Sequence, residues 1–143
     1  MNPLKFLFPF FFAILLLSAC DNKKAQTDYL MFKLNEVFQL PIQNFAKLEG
    51  GDLKIQFTAV AEDSRCPEGV ACVWAGQVKI QLSISESATA KTVELTRLGK
   101  QKGEAMATVG NYKIYLFAVN PYPKASGKIK ASDYFLELIV RVK

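Results

Sequence analysis

The side chains able to do chemistry gather in one short stretch, where Glu62, Asp63, Ser64, Arg65, Cys66, Glu68 and Cys72 all fall within residues 62–72. The chain has no histidine. That removes Ser-His-Asp and Cys-His catalysis, histidine metal ligands and a histidine pH switch. Three cysteines are too few for a four-cysteine zinc or iron–sulfur site. Ser64 has neither a histidine nor an obvious lysine as its base. Glu62, Asp63 and Glu68 are close enough to be weighed as the carboxyl pair that a retaining glycosidase holds about 5 Å apart. Such a pair works in a deep cleft, however, and acidic loop residues are usually solvated. Asp52, Glu62 and Asp63 lack the spacing of an EF-hand calcium loop. The expectation is a protein that is not an enzyme, with no catalytic residue, metal or cofactor.

The N-terminus carries a different chemistry. Lys5 precedes an apolar run over residues 6–17 that is interrupted only by Pro9. The run is shorter than the roughly 20 apolar residues of a membrane-spanning helix. It ends in Leu17-Ser18-Ala19-Cys20, which resembles the lipobox of bacterial lipoproteins at all four positions. Small residues at Ser18 and Ala19 let the backbone enter a narrow protease site. The Cys20 thiol accepts a diacylglyceryl group, and the amine freed by cleavage can be acylated in turn. Acyl chains contribute about 0.8 kcal/mol per buried CH₂, so two or three make a stable anchor. The resemblance implies a signal peptide over residues 1–19 and a lipid-anchored tether over 20–33. Asp21 resembles the inner-membrane retention signal of enteric bacteria, a rule other groups do not follow. The protein is thus expected in the bacterial cell envelope, either outside the cytoplasmic membrane or in the outer membrane.

With Cys20 consumed by lipid in an oxidising compartment, Cys66 and Cys72 remain as a pair. A disulfide between them closes seven residues, worth about 2 kcal/mol on the chain-entropy model. Pro67 and Gly69 allow the reversal it needs. The alternatives are a two-thiol metal site, for which no third ligand type is obvious nearby, and a redox pair, which favours Cys-x-x-Cys. Residues 63–76, Asp-Ser-Arg-Cys-Pro-x-x-Val-x-Cys-Val-Trp-Ala-Gly, resemble the signature of an uncharacterised family of bacterial secreted proteins and lipoproteins. The similarity extends over most of residues 34–143, through Asn35-Glu36-x-Phe38-x-Leu40, Gly50-Gly51-x-Leu53 and Pro121-Tyr122-Pro123. It brings no activity with it.

The elements that must position this loop show a period of two. Leu53, Ile55, Phe57 and Ala59 alternate with polar residues, as do Val78, Ile80, Leu82 and Ile84. Leu136, Leu138, Val140 and Val142 do the same, with Ile139 the one exception. Such segments bury one face and wet the other, as antiparallel strands do. Weaker strands are expected at 34–40, 91–97 and 112–119, the last apolar on both faces and so inside its sheet. Glycine- and proline-rich turns punctuate the series. The expected fold of residues 34–143 is all-β, an antiparallel immunoglobulin-like sandwich of six or seven strands, with a small barrel as the alternative. Counting strand reversals places the cysteine loop and residues 98–110 at one end. The loop carrying Pro121-Tyr122-Pro123 then lies at the other, with Tyr122 either a stiff cap or a recognition aromatic.

Two roles for the loop follow. Asp63 and Arg65 share a side of an extended chain and can hydrogen-bond together or brace loop carbonyls, while Trp74 packs on the disulfide; the motif is then architecture. Alternatively a rigid loop presents Ser64, Arg65 and Pro67 to a partner at low ordering cost, and Arg65 suits a trypsin-like pocket, as in a protease inhibitor. Fifteen of the 18 basic residues are lysines, and they are scattered, unlike the clustered arginines of nucleic-acid readers. The expected partners are therefore the membrane, through the lipid, and an envelope protein or polymer, with no nucleic acid. The protein reads as a non-catalytic binding or assembly module. An inhibitor-like module and a small Asp/Glu envelope hydrolase are the alternatives.

Overall fold

A computed structural model describes residues 29–99 and 105–143. The lipobox, Cys20 and the tether up to Asp28 lie outside the described residues. Among the described residues nine strands form: β1 (Leu30–Phe32), β2 (Val37–Pro41), β3 (Phe45–Leu48), β4 (Lys54–Asp63), β5 (Gln77–Glu86), β6 (Thr89–Leu98), β7 (Ala105–Val109), β8 (Tyr112–Asn120) and β9 (Phe135–Val142). One 3₁₀ turn, Ala131–Asp133, precedes β9. Among the described residues no helix is long and apolar enough to cross a membrane. The alternating segments are strands because one side of each is wholly apolar. Ile55, Phe57, Val78, Ile80, Leu82, Ile84, Leu136, Leu138 and Val140 are all fully buried, and each such side chain contributes about 1.5–3 kcal/mol on leaving water. Ile139 breaks the alternation and is nonetheless buried. On the outer sheet face it is flanked by Val37 of β2 and Tyr115 of β8, its cross-strand partners.

Two sheets make the fold, a five-stranded one in the order β1-β3-β4-β5-β6 and a four-stranded one in the order β2-β9-β8-β7. Their inner faces share one apolar core, with the Phe32 ring stacked on Phe38 of the opposite sheet at 4.4 Å. The sandwich is the one expected, and no barrel closes. Its strand order is a meander in each sheet, β3 to β6 and β7 to β9. An immunoglobulin domain instead moves between sheets through Greek-key connections. Strand β8 lies inside its sheet, as its two apolar faces required.

Three strands were not anticipated. β1 falls within the expected tether, and β3 and β7 within expected loops. Each is five residues or fewer, and Ala46 and Ala107 occupy inward positions, which leaves too little apolar alternation to read. β7 has a large consequence. It adds one reversal between β6 and β8, so β8 ends where β4 ends. The connections 42–44, 64–76 and 121–134 therefore share one end of the sandwich, and 33–36, 49–53, 87–88 and 110–111 share the other. The expected separation of the cysteine loop from Pro121-Tyr122-Pro123 is thus overturned. Glu68 N–H donates to the Pro123 carbonyl at 2.9 Å, and Glu68 and Lys124 form a parallel bridge.

Candidate functional site

The disulfide loop grows from the ends of β4 and β5. Register shifts in β4 between Phe57 and Ala59 and between Val60 and Glu62 mark bulges, which bend a strand and sharpen its twist. Beyond them the burial alternation of β4 is lost. The loop base is then zipped by Ser64 N–H to Gln77 O at 2.8 Å and Cys66 N–H to Ala75 O at 3.0 Å. Gly76 closes this zipper with φ +68°, where a Cβ would collide with the Ser64 carbonyl. Only glycine meets both demands. Cys66 and Cys72 are bonded, with Cα atoms 6.0 Å apart.

Beneath the loop, Arg65 is the one buried polar or charged residue among those described. Its Nε donates to Asp63 Oδ1 at 2.7 Å and its Nη2 to Asp63 Oδ2 at 2.6 Å. That is the two-pronged geometry which makes guanidinium–carboxylate pairs strong. The same guanidinium donates from Nη1 to the Val119 carbonyl at 2.5 Å and from Nη2 to the Pro121 carbonyl at 3.0 Å. Tyr122 lays its ring 4.9 Å from the Arg65 Cζ, a cation–π contact. Tyr134 donates its hydroxyl to Asp63 Oδ2 at 2.9 Å. One arginine thus joins β4, the end of β8 and the residue before β9. Both structural options read for Asp63 and Arg65, mutual pairing and bracing of loop carbonyls, are realised together.

Burial pushes the Asp63 carboxyl up, but hydrogen bonds from Arg65 and its charge, with the Tyr134 hydroxyl, outweigh that and hold it below the usual aspartate range. Burial and the Asp63 partner push the Tyr134 phenol up to about 12. Glu62 is lowered by its hydrogen bonds from Lys79, then Ser64 and Gln77. The Ser64 hydroxyl lies 3.0 Å from Glu62 Oε1, and Lys79 Nζ lies 3.2 Å from Glu62 Oε2. Glu62 and Asp63 are therefore two carboxylates whose surroundings favour the ionised form, the opposite of a general acid. Asp52 sits at the far end of the sandwich, and among the described residues no three of Cys, Asp or Glu converge as a metal site.

Above this base the loop is open to solvent. Val73 is fully exposed, Trp74 is 63% exposed and Val70 46%. Trp74, read as able to pack on the disulfide if the motif is architecture, keeps most of its side chain in solvent. The alternative reading presented Arg65 to a trypsin-like pocket. Its side chain is 2% exposed, and every prong is engaged within the fold, so it cannot enter such a pocket. Ser64 is exposed and Pro67 half-buried. Pro67, Val70 and Ala75 with Tyr122 line a surface cleft of about 280 Å³. Sequence reasoning missed Tyr134 and the carbonyls of Val119 and Pro121. Main-chain acceptors carry no side-chain signature, and Tyr134 follows an unremarkable polar run. Comparison with protein-family models, curated proteins and solved structures finds no match to this chain.

Proposed function

We propose that this is a lipid-anchored protein of the bacterial cell envelope, held at Cys20, whose disulfide loop is the working surface of a non-catalytic binding or assembly module. The observation that carries the reading is the division within residues 63–76. The lower half is locked by a buried ion pair in which every guanidinium nitrogen is engaged, while the upper half holds Val70, Val73 and Trp74 in water. A scaffold alone does not require exposed apolar side chains on a loop closed by a disulfide. A preorganised loop with such side chains binds at low ordering cost. Neither Glu62 nor Asp63, both lowered, is held protonated as a general acid.

The anchor is tested by metabolic labelling with a palmitate analogue and by fractionation. Wild-type protein takes up label and stays with membranes, and Cys20→Ser takes up none; equal labelling of the two would end the anchor reading. The loop is tested by chemical crosslinking in intact envelopes. Trp74→Ala loses the wild-type crosslinks at an unchanged melting temperature. Crosslinks that survive in Trp74→Ala move the working surface elsewhere.

A further inference from the structure

Ile139, the apolar exception in the alternation of β9, is one of four apolar side chains in a row across the outer face of the four-stranded sheet. The register sets Met106 of β7 opposite Tyr115 of β8, Tyr115 opposite Ile139, and Ile139 opposite Val37 of β2. Phe117, in the bulge of β8, and Phe135, opposite Pro41, extend the same face. The five-stranded sheet is built the other way across β4, β5 and β6. Its outward positions there hold Lys54, Gln56, Lys79, Gln81, Ser83 and Glu94. That is the polar side an antiparallel sheet turns to water, whereas a contiguous apolar patch marks an interaction surface. Among the described residues no element lies over the apolar face, and Val37, Met106 and Phe117 are exposed on it.

The charges on this face are sorted about the apolar row. Along β9, Glu137 and Arg141 are the next outward positions on either side of Ile139, each about 7 Å away at the strand rise. Arg141 lies opposite Lys113 of β8, and like charges directly across a ladder repel, so a carboxylate arriving from outside relieves them. The face is therefore self-complementary about a two-fold axis laid along Met106, Tyr115, Ile139 and Val37. That rotation turns a second copy face down with its strands reversed. Each row residue then meets its own counterpart, and Glu137 of each copy meets Arg141 of the other. We propose that the outer face of the four-stranded sheet is the interface of a symmetric dimer, two copies of this chain packed through that row and those ion pairs. Aligned packing about 10 Å apart is how twisted sheets ordinarily cover one another, and a two-fold contact uses the same patch on both partners. Four strands of the length of β9 present about 500 Å² in plan. A standard interface buries about 800 Å² of accessible surface per partner, so the dimer falls at the weak end of specific assemblies.

The face includes neither Cys20 nor the disulfide loop, so its test stands apart from both. Cells producing the full chain are lysed without detergent and treated with a bis-maleimide of about 10 Å reach, the spacing of packed sheets. Val37→Cys, on the axis and close in size to the native residue, is expected to give a crosslinked species of twice the chain's mass. Ser83→Cys, on the outer face of the opposite sheet, is expected to stay at the yield of the unsubstituted chain. Glu137→Arg or Arg141→Glu, each added to Val37→Cys, should lower the yield about tenfold by setting like charges face to face. The two together should restore it, because the inverted pairs meet again across the axis. Val37→Cys crosslinking no better than Ser83→Cys would overturn the dimer. A Val37→Cys adduct with a different protein, of another mass, would overturn it too and assign the face to that partner. Loss in both charge variants without recovery in the double would overturn the two-fold pairing.

Discussion

Arg65 is a cation taken almost wholly out of water, and it is tolerated because a carboxylate and two carbonyls replace its hydration. Breaking such an arrangement from one side leaves the other side buried and unpaired, which costs about 3–5 kcal/mol. Arg65→Ala is therefore expected to lower the urea midpoint by that equivalent without changing the slope. Arg65→Lys should recover only part, because an ammonium cannot offer the fork that meets Asp63 and both carbonyls. The Asp63 carboxyl sits below its unfolded value, near pH 4. Its contribution to stability is present above that value and is lost as pH falls through the folded one, because the unfolded chain then binds the proton first. Denaturation curves across the acid range should show wild type converging on Asp63→Asn as pH falls. Tyr134 works at the other extreme. With its phenol pushed up to about 12 and an unfolded value near 10, the stability it lends is present below about pH 10 and is lost as pH rises through about 12. Tyr134→Phe should flatten that alkaline limb.

At the scale of the element, the 64–76 loop is held three ways: by the disulfide, by the backbone zipper and by Gly76. Replacing Cys66 and Cys72 together by alanine removes a seven-residue crosslink, expected to cost about 2 kcal/mol. The Arg65 base does not use the disulfide, so the double variant should still fold, with faster hydrogen exchange confined to the loop. Gly76→Ala is a sharper test. A left-handed backbone costs a non-glycine residue about 1–2 kcal/mol, and the added methyl also strikes the Ser64 carbonyl. A melt that Gly76→Ala leaves unchanged would contradict the zipper as described. The bulges of β4 and the register shift in β8 between Leu116 and Ala118 sit on the halves of those strands that lead to Asp63 and Val119. They re-aim the strand ends so that one guanidinium reaches both.

For the whole molecule, two sheets around one core supply a rigid block, and the loops of one end supply its distinctive surface. β7 is the strand on which that surface depends, although it is short and contributes only Ala107 as a buried side chain. Its reversal brings residues 64–76 and 121–134 to the same end. Inserting a polar break at Ala107, as in Ala107→Asp, is expected to destabilise by several kcal/mol, since an unpaired charge at the sheet interface is costly. Circular dichroism with a urea series reads the loss. A stable Ala107→Asp variant with native exchange protection at Arg65 would show that the two loops meet without β7.

The amino-acid sequence by itself determined the all-β class, the pairing of Cys66 with Cys72, the coupling of Asp63 to Arg65 and most inward residues of β4, β5 and β9. Each of these is local. A period of two is visible within eight residues, and Asp63 and Arg65 are two apart. Val142, read as inward, stands exposed at the end of β9, and Ala59 lies past the first bulge of β4 and is only half-buried. Tertiary structure decided the rest. Arg65 meets the Val119 carbonyl across 54 residues of chain, and Asp63 meets Tyr134 across 71. Those contacts follow from how many times the chain reverses, and the deciding strand, β7, has too few large apolar residues to announce itself. Exposure was likewise undecided by residue type. Trp74, the one aromatic of the motif, stands in water, and the charged Arg65 is buried. The reason is that burial goes to the group whose partners can replace its water, and those partners are main-chain carbonyls that only the folded chain brings together.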